Sequence, residues 1–151
     1  MIKINENMLR NTAARVEKTD YWDTFIYPLA KPIISGKTYT FSYEGEGEGV
    51  TEILLFNSGG YVWEYEDLIA NVQVKDNRKF VTFVATNQVR SNTSLNIYYQ
   101  PKTNNGLKWM AKAKLEEGTE STIWIPAEAD LTPAQIAKLP QYGEFKEILP
   151  L

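Results

Sequence analysis

Cysteine and histidine are both missing from this chain of 151 residues. Without cysteine there is no disulfide, no thiolate nucleophile and no thiolate metal site. Without histidine there is no imidazole to act as general base or zinc ligand. Triads and dyads built on imidazole or thiol are therefore excluded. An excess of positive charge is missing as well: 16 basic residues face 19 acidic ones, for a net charge of −3. The basic residues are scattered, so the stripe expected of a nucleic-acid binder is absent. The longest apolar run, Ile53-Leu54-Leu55-Phe56, has the length of a strand, far short of the roughly 20 residues of a membrane helix. The start, Met1 to Met8, has no apolar h-region and no small-residue cleavage site. Neither a signal peptide nor membrane insertion is expected. The P-loop and dinucleotide fingerprints are absent too.

What is plentiful is aromatic: nine Tyr, six Phe and four Trp, 13% of the chain. Turn signals recur at Ser35-Gly36, Gly45 to Gly49, Ser58-Gly59-Gly60, Asp76-Asn77, Ser91-Asn92, Asn104-Asn105-Gly106 and Glu117-Gly118. That rhythm suits an all-β antiparallel sandwich. Between the turns, 37–43 alternates, with Tyr39, Phe41 and Tyr43 against Thr38, Thr40 and Ser42. A period of two predicts one buried face and one wet face. The run 51–56 reads as a strand in the middle of a sheet. Residues 79–85 set Val81, Phe83 and Ala85 on one face. Residues 94–100 set Leu95, Ile97 and Tyr99 against Asn96, Tyr98 and Gln100. Residues 108–115 set Trp109, Ala111, Ala113 and Leu115 against Lys108, Met110, Lys112 and Lys114. The segment 62–70 fits a strand or a helical face. Helix is expected only at 132–139, with Thr132 as N-cap, Pro133 opening it and Pro140 stopping it.

The stretch Lys114-Leu115-Glu116-Glu117-Gly118, followed by Thr122-Ile123-Trp124-Ile125-Pro126-Ala127-Glu128-Ala129-Asp130, carries a pattern. It resembles the closing segment of carbohydrate-binding-module-like jelly-roll domains from bacteriophage and prophage tail, baseplate and minor structural proteins. The pattern there is K-L-E-x-G, a loop, then T-x-W-x-P-A-P-E-D. Glu128 and Ala129 stand where that family more often has Pro-Glu. Asn7-Met8-Leu9-Arg10-Asn11 resembles its N-L-L-x-N opening, and Gly36 to Ser42 its G-x-x-Y-T-x-S strand. The resemblance spans 7–130. It implies a jelly-roll sandwich over 1–130 with a short C-terminal helix or tail over 131–151. It further implies a virion tail or baseplate protein, assembled in the bacterial host cytoplasm, that is not an enzyme. Partners would be other virion proteins, copies of itself and a host cell-surface glycan. The tail would dock through Ile136, Leu139, Phe145, Ile148 and Leu149. The motif itself is explained by folding: Trp109 and Leu115 are expected in the core, Gly118 in a turn, and Trp124 as an apolar lid.

Three groups of residues are candidates for a sugar site. Tyr61, Trp63 and Tyr65 alternate with Val62, Glu64 and Glu66. On a strand the three rings share a face; with Glu64 and Glu66 facing solvent, that face suits a core first, then stacking on a pyranose, then a subunit interface. Trp22 lies beside Tyr21 between Asp20 and Asp23. Tyr98 shares a wet face with Asn96 and Gln100, with Arg90 near in sequence. Glu44, Glu46 and Glu48 alternate with glycines. Oxygen ligands on a pliant loop suit calcium, but the Asp-x-Asp-x-Asp-Gly pattern with a distal Glu is lacking. A structural calcium is thus unsupported, no other cofactor is implied, and the segment reads as an acidic hairpin loop.

Overall fold

The computed structural model describes residues 3–19, 24–47, 50–57, 60–61, 72–85, 93–101 and 107–137, with backbone alone at 47, 50–54, 56–57, 60–61 and 99–101. The described strands are β1 (Val16–Lys18), β2 (Thr24–Pro28), β3 (Thr38–Gly47), β4 (Val50–Asn57), β5 (Gly60–Tyr61), β6 (Gln73–Lys75), β7 (Arg78–Val84), β8 (Ser94–Pro101) and β9 (Lys108–Glu117). They form two antiparallel sheets, ordered β1-β9-β3-β7-β6 and β2-β8-β4-β5. The pairing is nested. β1 pairs β9, β2 pairs β8, β3 pairs β7 and β4 pairs β5, as in one long hairpin. Rolling that hairpin brings β9 onto β3 and β8 onto β4. This is jelly-roll connectivity, and the chain is an all-β sandwich.

The inner faces follow the alternation. Tyr39, Phe41 and Tyr43 meet Val81, Phe83 and Ala85, and these pack on Phe25, Tyr27, Leu55, Leu95 and Ile97 in one buried cluster. Strand β4 lies inside its sheet, between β8 and β5. A two-residue turn joins β6 to β7, with Asp76 at φ 53° and Asn77 at φ 62°. Two successive positive φ values match the right-handed twist of the flanking strands.

Strand β9 departs from simple alternation. Its register against β3 slips between Ser42 and Glu44, and Lys112 sits at φ 48°. The bulge inserts one residue and reverses the phase of the pleat. Met110 on one side of it and Ala113 and Leu115 on the other all reach the core. The expectation of a buried Trp109 is thereby corrected. Trp109 lies half-buried on the outer face, with the Arg15 guanidinium 4.1 Å from its ring centroid. Lys108, expected to be wet, is fully buried near the Phe25 ring. Gly45 allows this close pairing, because a Cβ there would lie 2.7 Å from the Trp109 carbonyl oxygen.

The second face of β3 is not wet either. Thr40 and Ser42 have no exposed surface. The stretch after β9 turns at Gly118 (φ 104°) and folds back over this face, together with the N-terminal stretch around Asn5. The short helix α1 (Pro133–Ile136) begins as expected, with a reciprocal Thr132–Gln135 capping box and Pro133 in its first turn.

Candidate functional site

The outer face of the four-stranded sheet gathers four of the sequence candidates by register. Asn96 lies opposite Ile26 on β2 and Phe56 on β4, and Phe56 in turn lies opposite Tyr61 on β5. Tyr98 lies opposite Thr24 and Leu54, and Gln100 opposite Glu52. These rows alternate with Leu95, Leu55 and Ile97, which are buried. Asn96 and Tyr98 are both half-buried, so each keeps part of its surface at solvent. The Asn96 Oδ1 accepts from the Ser94 hydroxyl at 2.9 Å, which leaves the amide NH₂ directed by that contact. Tyr98 also packs against the core cluster and is less wet than expected. Ile26, in the same row as Asn96, is 58% exposed. Of the remaining candidates, Trp22, Trp63 and Tyr65, with Arg90, lie outside the described residues.

The signature residues make a different constellation. Lys114 and Glu116 alternate on the outer face of β9, and neither has exposed surface. The Lys114 ammonium donates to Thr122 Oγ1 and to the Ile123 carbonyl, both at 2.7 Å. Glu116 accepts from the Thr122 hydroxyl at 2.6 Å, from the Thr122 amide and from Asn5 Nδ2. Burial pulls the Lys114 ammonium down to about 8, with the Glu116 carboxylate opposing that shift. Burial likewise raises the Glu116 carboxyl above its usual range, against the pull of Lys114, Thr122 and Asn5. Perturbed titrating groups often mark a reaction centre. Here both are sealed from any substrate, and their work is to clip residues 122–123 onto the sheet.

Asn7 completes the clip. Its buried amide donates to the carbonyls of Ala113 and Ile125 and accepts from the backbone amides of Leu9 and Leu115. One side chain thereby ties the N-terminal stretch, β9 and the closing segment together. The Trp124 indole donates to Thr12 Oγ1 at 3.0 Å, and Asp130 accepts from Arg10 and from the Asn11 amide. The motif is thus a set of internal contacts.

Sequence reading missed a groove of about 580 Å³ between the N-terminal stretch and 31–37. Met8, Ile34 and Tyr39 line it, and the pairs Lys31–Glu6 and Lys37–Glu117 stand along it. Its walls come from segments far apart in the chain, so no local pattern announces it. In the acidic stretch, Glu44 is half-buried, Glu46 pairs with Lys79 at 3.2 Å, and Glu48 lies outside the described residues. No group of three metal-ligating side chains occurs among the described residues.

No family model matches the chain, and a search of curated proteins finds no match. Among solved structures, it is similar to the tripod (BppUct-A-L) from the baseplate of bacteriophage Tuc2009, at 12% identity and a TM-score of 0.48. That alignment covers 88% of this chain and 62% of the other, so the chain spans less than two thirds of its neighbour's length.

Proposed function

We propose that this protein is a tail or baseplate component of a phage or prophage that holds host cell-surface polysaccharide without catalysis. The observation that carries the reading is the register of the four-stranded sheet, which brings positions 61, 96, 98 and 100 together on one outer face. The Tyr98 ring on the same face as the Asn96 amide is the chemistry that stacks on a pyranose and bonds its hydroxyls. The resemblance of 7–130 to phage tail modules supplies the setting. A shallow site of this kind binds weakly, and a Kd of ~1 mM is worth only about −4 kcal/mol. Several copies on one tail would raise apparent affinity by roughly 10²–10⁴. The segment 131–151 is the proposed attachment to other virion proteins or to further copies. Retention on polysaccharide prepared from bacterial cell surfaces, lost on Tyr98→Ala, is the test.

Ile26 favours a second reading. An isoleucine more than half exposed beside Asn96 also suits a face that packs against another virion subunit. In that case the protein is purely structural, and Tyr98→Ala changes assembly while polysaccharide retention is absent from the start.

A further inference from the structure

Arg78 opens β7 on the outer face of the five-stranded sheet and is 8% exposed. One guanidinium nitrogen, Nη2, donates to Ser42 Oγ at 2.9 Å and to the Lys112 carbonyl at 2.8 Å. Its Nε and Nη1 are buried and have no hydrogen-bond partner among the described residues. A shielded cation with unmet donors is costly, because water no longer offsets its charge. Glu116 and Glu44 act on it only through space.

Arg78 lines a pocket of about 240 Å³ between the β6–β7 turn and the closing segment. Lys3 and Lys75, both exposed, line it as well, together with Thr122. Asp76 and Glu120 also line it, so three cations face two carboxylates. Behind Thr122 the charges cancel, since its hydroxyl accepts from Lys114 at 2.7 Å and donates to Glu116 at 2.6 Å. The lining groups thus carry one positive charge on balance, and one of the three cations, Arg78, is shielded from water, where attraction to an anion is strengthened.

We infer that this pocket binds a small oxyanion, the phosphate or carboxylate group of a larger molecule or the free ion. Lys3 and Lys75 supply the direct charge-assisted contacts, and Arg78 supplies its field. The site is separate from the outer face of the four-stranded sheet and does not depend on the polysaccharide reading.

Calorimetric titration of the full chain with inorganic phosphate and with glucuronate, at matched ionic strength against chloride, tests it. At least one of the two anions should bind. Phosphate alone points to a phosphate ester, glucuronate alone to a carboxylate, and both to any oxyanion. The Lys3→Gln/Lys75→Gln double variant, altered only at exposed positions, should weaken binding by roughly tenfold or more. Glu120→Gln should tighten it. Absence of binding by both anions overturns the inference, as does binding left unchanged by the double variant.

Discussion

The Thr122 hydroxyl donates to Glu116 Oε1 at 2.6 Å and accepts from Lys114 Nζ at 2.7 Å, so one small side chain joins two buried opposite charges. Lys114 and Glu116 themselves stand 3.8 Å apart. Thr122 lets both charges keep hydrogen-bond partners after water has been removed. The turn at Gly118 brings it there.

Thr122→Val should therefore cost about 2–3 kcal/mol, since it strips a partner from each buried charge. Thr122→Ser, which keeps the hydroxyl, should cost much less. Urea midpoints of the three proteins check this.

Stability should depend on pH through the same cluster. Lys114 loses its proton near pH 8 when folded and near 10.5 when unfolded. Between those values the unfolded chain holds more protons, so this group makes folding more favourable as pH rises. Tyr27 acts in the opposite sense above pH 10, because burial pushes its hydroxyl to about 12 while the unfolded residue ionises at 10.0. Denaturation of the wild type should show a Lys114 gain between pH 8 and 10 that is absent from Lys114→Met. The loss above pH 10 should shrink in Tyr27→Phe.

The bulge gives a backbone prediction. Lys112 holds φ 48°, a region that β-branched residues avoid and glycine enters freely. Lys112→Val should cost about 1–2 kcal/mol and Lys112→Gly almost nothing. Gly45→Ala should destabilise by about 1–3 kcal/mol, because its methyl would meet the Trp109 carbonyl. Thermal melts of the three variants test the register of β3 against β9.

Much of the sandwich was legible, because period-two alternation in β3, β7 and β8 depends only on which face is apolar. Trp109 and Lys108 were misplaced for a physical reason: a single residue in the left-handed region reverses every face before it, and lysine does not advertise that conformation. Thr40 and Ser42 looked wet because polar residues at alternate positions normally are. Their partners, the Gly118 carbonyl for Thr40 and the Arg78 guanidinium for Ser42, lie in parts of the chain that no local window contains. Asn96 and Tyr98 were legible as one face. The place of Arg78 in a pocket was not legible, since that pocket joins segments separated by tens of residues.

The attachment proposed for 131–151 can be weighed directly. Light scattering of the full chain should give a larger mass than a chain ending at Asp130, with far-ultraviolet circular dichroism showing that both are folded. Equal masses would remove the docking role.

The most direct measurement of the central claim is retention on bacterial cell-surface polysaccharide by wild type, Tyr98→Ala and Val84→Ala. Val84 is 55% exposed on the opposite sheet and serves as the control. Wild type and Val84→Ala should be retained equally, while Tyr98→Ala should lose roughly 1–3 kcal/mol of binding, the scale of one lost ring contact. Retention unchanged by Tyr98→Ala, or none by the wild type across polysaccharides from many hosts, would contradict that claim.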